Sequence, residues 1–542
     1  MTLLHGFRVA IDGFSAVGER LHRPISMQPL SPASSLRAFW TIALVVATPV
    51  ATALPMGEAD ARHLLARTGF GPTTTEVRTY ASLSRSEAIE RLLSEVKTEP
   101  LTSPPVWLHD AALFKRPAQM TTAEERKAFQ QSETRRAMEL RGWWIREMLV
   151  TPSPLTERMA LFWHNHFVSG EQKVRDARMM YAQNALFRTQ ALGSFATLLH
   201  AVGKDPAMVV YLDNARNRKG APNENFAREV MELFTLGQGH YTEDDIKEAA
   251  RAFTGWSVDR ASGAFAYRPR LHDDGQKTVF GKTGAFDGDA VLDLILERRE
   301  TAEFIVAKLW KEFVSPTPDP HIVASIACDF RASQYGVKVA LRDLLETNAF
   351  WARENRGTLV KSPVEIVVGA LRQLDVSPDE TVPLALVLGG MGQNLFGPPN
   401  VRGWPGGDAW INSSTLLARK QFLDRIAHND AGAPPRMAAI AMTDRMFEPG
   451  DEPAPTMATR EATVAEVDRA SRIARQIDRS TRKLRFEAVR WIGEQDGNTR
   501  AGKMEAAKRL LLPIDPQLPA SDDTDVTAAV AAALLDPAYQ LK

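Results

Sequence analysis

Leu155-Thr-Glu-Arg-Met-Ala-Leu-Phe-Trp-His-Asn-His-Phe167 reads as one helix. Ser153 or Thr156 can cap its start, and it runs to about His164. Glu157, Leu161 and His164 share a face at i, i+4 and i+7. The same spacing recurs outward from this stretch. Ala88, Leu92, Leu93 and Val96 repeat at threes and fours, as do Ile305, Leu309 and Phe313. A Trp-rich helix is expected around Arg141–Ile145, and a last helix around Val526–Leu535 that stops at Asp536-Pro537. Alternating patterns are scarce, and Gly263–Tyr267 with Thr278–Phe280 is expected to form one short hairpin. The expected fold is mainly α, a large multi-helix globular body with a minor β hairpin.

The chain has 542 residues, 44% of them hydrophobic, enough to bury a sizeable core. Lys plus Arg equals Asp plus Glu at 66 each, a balance that argues against a nucleic-acid partner. A lone Cys328 excludes an intramolecular disulfide and a cysteine-based zinc site, and its setting among Ile322, Val323, Ile326 and Ala327 favours core packing. Phe39–Ala53 is apolar or small, preceded by Arg37 and ended by Ala51-Thr52-Ala53: a leader with an A-x-A cleavage site, too short to span a membrane. Met27 gives that leader an ordinary length, so translation is expected to start there rather than at Met1. The expectation is a periplasmic or secreted protein, with no transmembrane anchor in the mature chain. Residues 1–53 are then start and leader, 54–429 a helical core domain, and 430–465 a flexible linker or insertion. Residues 466–542 form a C-terminal helical segment on the core. No solenoid repeat and no phosphate-cradling glycine loop is evident.

Polar residues of catalytic type gather in several stretches. His164 and His166 stand about 200° apart on a regular helix, so they converge on one metal only if the helix ends there. Packing beside Trp163 and Phe167 is the competing reading. Tyr211–Phe234 reads as helix, polar loop and second helix, the latter starting near Pro222–Asn225. Asp213, Asn214, Asn217 and Asn223 offer oxygens for a hard cation or a sugar's hydroxyls. Asn225, Glu229 and Glu232 lie along one face, and Arg228 can pair with Glu232 or Glu224. A capped, solvated helix start is equally consistent. Thr242 with Glu243, Asp244 and Asp245 reads as a helix cap, which leaves His240 as the member of that turn to test. His272 and Asp273 share a loop with Lys277. Trp404 and Trp410 sit on a glycine-rich loop that either presents a carbohydrate or peptide platform or buries both rings against helices.

Read in order, these stretches resemble the bacterial exported family known as domain of unknown function 1800. The likeness rests on His63–Pro72, Glu157–Phe167, Asp213–Gly237, Thr254-Gly-Trp256, His272-Asp273 with Lys277, Lys361-Ser-Pro363 and Pro399–Gly407. It covers nearly the whole mature chain, while 430–465 and the helical segment after it fit poorly. The resemblance implies export and gene neighbours related to sulfatases and alkaline phosphatases, but no reaction. Two functions stay open. One is a hydrolase or lyase on an envelope or extracellular polymer. His164, His166 and His240 would then be acid–base or metal-binding groups, Glu229 and Glu232 carboxylates, and Arg228 an anchor for an anion. Substrate would meet Asp213, Asn214, Asn223, Asn225, His272, Asp273, Trp404 and Trp410, with a divalent metal as the candidate cofactor. The other is a non-catalytic helical partner of a sulfatase-like exported protein, in which the same side chains fix helix packing. Convergence of the end of the His164 helix on the start of the Glu229 helix would favour the first.

Overall fold

Ser153 precedes a helix that begins with Pro at its first position, Pro154–His166. The Ser153 side chain makes no cap bond there, and the helix runs two residues past His164. Every residue from Leu155 to His164 is buried. This helix therefore lies in the interior, packed on Ala177–Thr189, Ala123–Val150 and Gly57–Thr68. The structure, a computed structural model, describes residues 54–109, 122–259, 262–428, 484–519 and 525–542. The leader, the 430–465 stretch and the start of the following segment lie outside the described residues.

The protein is mainly α with minor β hairpins. The expected helices recur as Ala123–Val150, which carries Trp143 and Trp144, as Arg299–Phe313 and as Val526–Leu535. Val526–Leu535 packs on Ser413–His428. Ile305, Leu309 and Phe313 are fully buried, as their spacing predicts. From Ala53 onward the chain forms one compact unit. Among the described residues no helix is long and apolar enough to cross a membrane.

Three local expectations are corrected. The two strand-like stretches pair with other partners, not with each other: Trp256–Val258 with Phe265–Tyr267, and Lys277–Val279 with Lys282–Gly284. The second hairpin turns through Phe280 and Gly281, both at positive φ (51° and 74°), the geometry that suits a two-residue turn and holds Val279 opposite Lys282. Cys328 is exposed, because Val323, Ile326, Ala327 and Phe330 already form the buried stripe of Pro320–Ala332. The helix after Asn223 is α over Glu224–Glu229 and π over Val230–Thr235. That wider turn is closed by Thr235 Oγ1 donating to the Val230 carbonyl and Leu236 N to that of Met231.

Candidate functional site

The Pro154–His166 helix has two working faces. On one, Glu157 accepts a bidentate pair from Arg188, at 2.7 and 2.9 Å, and a bond from the Trp144 indole at 2.7 Å. Arg188 also donates to Asn184, whose amide lies 3.2 Å from His164 Nε2. The His164 ring is walled by Trp144, Phe187 and Phe396, with ring centroids 4.7–5.2 Å away. Burial, then the Arg188 charge, lowers its pKa to about 3, so it is a neutral core residue.

The other face carries Arg158, Leu161, Phe162, Asn165 and His166, at i, i+3, i+4, i+7 and i+8, and lines an open cleft of about 530 Å³. His166 Nε2 lies 3.0 Å from the Phe234 carbonyl. A carbonyl only accepts, so Nε2 holds the proton and Nδ1 accepts from Lys308 Nζ, also at 3.0 Å. Lys308 donates in addition to the Leu233 carbonyl at 3.1 Å. Both carbonyls lie near the C-terminal end of the π turn, where backbone acceptors lack partners within the helix. Burial, then the Lys308 charge, holds His166 well below the usual histidine range. Burial, then Lys311, lowers the Lys308 ammonium to about 8.

Basic groups predominate along the cleft, where Arg158, Lys308, Lys311, Arg402 and Lys542 face Glu312, Glu365 and Asp408. Arg158 binds Glu312 at 2.5 Å and Glu365 at 2.6 Å, and Lys542 binds Glu365 at 2.5 Å. Burial works to raise the Glu365 pKa, but Arg158 and Lys542 overcome it and hold that carboxyl at about 2. The rim loop is seated by Asn165, whose Oδ1 accepts from Trp404 N at 2.7 Å. Gly403, at φ 87°, is needed there, since a Cβ would fall 2.3 Å from Asn165 Oδ1. Trp404 and Trp410 line the cleft but are only 4% and 6% exposed, so they form its wall rather than an open platform.

The remaining sequence candidates sit elsewhere. Asn214, Asn217, Asn223 and Asn225 bond one another and the carbonyls of Phe253, Ala250, Asp213 and Leu212, which knits the polar loop together. Asp213, at φ 58°, pairs with Lys173. Arg228 pairs with Glu224 and Glu243 rather than with Glu232. Glu232 accepts from Gln238 and Tyr241. Glu229 is half-buried, and burial followed by the nearby Glu232 raises its pKa. The end of the His164 helix meets the far end of the Glu229 helix rather than its start, and through the backbone: His166 reaches the Phe234 carbonyl, and among the described residues no hydrogen bond joins either histidine to Glu224, Glu229 or Glu232. His240 is exposed on its turn. His272 Nδ1 bonds the Thr254 carbonyl at 2.9 Å. Asp273 chelates Arg251, which brings its pKa down to about 2. Among the described residues no three His, Cys, Asp or Glu side chains gather to hold a metal ion.

Lys308, Arg158 and Glu365 were not legible as a site in the sequence. A signal existed: Lys308 falls three residues after Ile305, on a stripe otherwise apolar, and Arg158 precedes His166 by two helical turns. A family model described as "Protein of unknown function (DUF1800)" matches residues 63–541. No curated protein and no solved structure matches the chain.

Proposed function

The chain belongs to the DUF1800 family, and from that premise we propose that its central cleft is the working site of an exported lyase acting on an anionic, uronate-containing polymer. The observation that carries the reading is Lys308, an amine brought to about 8 and seated on His166 in a cleft whose walls are mainly basic. A lysine near neutrality is a competent general base. Hydrolysis of a glycosidic bond ordinarily uses a protonated carboxylic acid; of the three carboxylates on the cleft, Glu365 is held ionised by Arg158 and Lys542, Glu312 is paired to the same arginine, and Asp408 is exposed on the rim loop. Elimination needs a base and a means of neutralising the substrate carboxylate. Lys308 takes the proton from the carbon next to that carboxylate, and the released electron pair forms the ring double bond. The neighbouring carbon–oxygen bond breaks, and its oxygen takes a proton from solvent. Lys311 and Arg402 are placed to offset the carboxylate charge. Of the residues singled out in the sequence, His166 serves as a positioning residue and Trp404 and Trp410 as walls.

The test is ultraviolet detection of unsaturated uronate ends from acidic polysaccharides. Lys308→Met is expected to lower kcat by roughly 10²–10⁴-fold with little change in KM. Product formation unaffected by Lys308→Met would overturn the assignment.

A further inference from the structure

On Gly57–Thr68 two arginines turn inward. Arg67 acts as a clamp, its two terminal nitrogens donating to the carbonyls of Phe313, Val314 and Asn355, while its Nε has no partner among the described residues. Arg62 is 8% exposed and makes no hydrogen bond or ion pair among the described residues. Cations bear on it: Arg356 directly, and Arg62 in turn on Arg67 and Lys361, while Glu58 and Glu365 line spaces it shares without pairing with it. A guanidinium buried without a partner beside like charges is unfavourable unless an anion completes it.

Space for that anion exists. Arg62 lines a cleft of about 430 Å³, separate from the central one, between the start of the described chain and the Glu505–Pro516 segment. Three of the cleft's four acidic groups have a cation at hand: Asp496 binds Arg78 at 2.9 Å, and Glu58 and Glu505 lie at 4.0 and 3.8 Å from Arg509; the fourth is Asp515. Arg353 and Lys508 line the same space and have no carboxylate of their own among the described residues. We propose that this cleft is a second binding site, for a phosphate or sulfate group, with Arg62 as its buried contact and Arg353 and Lys508 at its mouth. A planar guanidinium offers such an oxyanion paired donors, and the surrounding positive field favours a dianion over a carboxylate.

The experiment measures thermal unfolding and calorimetric binding of the full chain with inorganic sulfate, inorganic phosphate or acetate, at constant ionic strength in chloride. Wild type is expected to show saturable stabilisation by sulfate or phosphate and a weak response to acetate. The stronger of the first two tells which ester the site takes. Arg62→Met is expected to weaken that binding by about tenfold or more. It should also start no less stable than wild type in chloride, since it removes an uncompensated buried charge. Arg353→Ala and Lys508→Ala, at the mouth of the cleft, should weaken binding without altering the unfolding midpoint in chloride, and they carry the test if Arg62→Met does not fold. Lys308→Met, in the central cleft, should keep the full response. The proposal is overturned if wild type shows no saturable response, if acetate acts as well as sulfate and phosphate, or if the response survives in the Arg62, Arg353 and Lys508 variants but vanishes with Lys308→Met.

Discussion

At His166 the proton on Nε2 faces the Phe234 carbonyl, and the free lone pair on Nδ1 is taken by Lys308. The imidazole is thereby spent on holding an amine in place, which moves the reactive role to the lysine. His164, two positions away, packs against the rings of Trp144, Phe187 and Phe396 and lies beside the Asn184 amide. The two histidines are therefore expected to respond differently. His164→Ala should cost about 2–4 kcal/mol in denaturant unfolding, as a cavity opens in the aromatic cluster, with the midpoint of any pH–rate profile unmoved. His166→Ala should cost about 1–3 kcal/mol through the partners left unsatisfied. It should also move the midpoint to lower pH, because the ammonium form of Lys308 loses an acceptor. Lys308 itself links stability to alkaline pH. Its folded pKa of about 8 lies below the ordinary 10.5. The unfolded chain then binds more protons between those values, so the penalty for charging Lys308 is full below pH 8 and is lifted as pH rises through that window.

The Pro154–His166 helix shows how far spacing can be read. Its existence, apolar character and approximate length follow from the sequence, as do Arg299–Phe313, Val526–Leu535 and the capping box at Thr242. Which face looks into open space does not follow, because periodicity marks neighbours on a helix but not what covers them. Glu157, Leu161 and His164 share a face by spacing, yet Glu157 and His164 are sealed by Arg188 and Trp144 while Leu161 lines the cleft with Arg158 and His166. The hairpins were missed in pairing for a related reason: a strand pattern gives no partner until the turn residues, here Phe280 and Gly281, are weighed. The buried Glu157–Arg188 pair anchors this helix to Ala177–Thr189. Glu157→Gln is expected to lower stability by about 3–5 kcal/mol by stranding the arginine, and combining Glu157→Leu with Arg188→Met should recover most of that loss. A double change no better than the single one would show that the pair does more than satisfy its own charges.

Over the whole molecule, charges that balance to zero in the sequence are unevenly placed. Both clefts carry more basic than acidic side chains in their walls, a pattern that composition cannot reveal because it arises when distant segments meet. Lys542 reaches Glu365, 177 residues away, and Arg158 draws Glu312 and Glu365 together. Fold class and family were legible because they rest on repeated local spacing and on long continuous motifs. The cleft was not, since it depends on contacts between segments far apart in the chain. Export belongs to this scale as part of the proposed function. The Ala51-Thr52-Ala53 site predicts a mature protein that starts at Leu54, which N-terminal sequencing of the secreted product checks; a cytoplasmic product retaining residues 27–53 would contradict it. The central claim, that Lys308 acts as the base of an anion-attracting cleft, is tested most directly by kcat/KM against pH on a uronate polymer, for wild type and Lys308→Arg. The wild-type rate is expected to rise through pH 8, and the variant to bind the polymer still but to have lost elimination. A variant with the wild-type profile, or a wild-type rate that falls through pH 8, would contradict it.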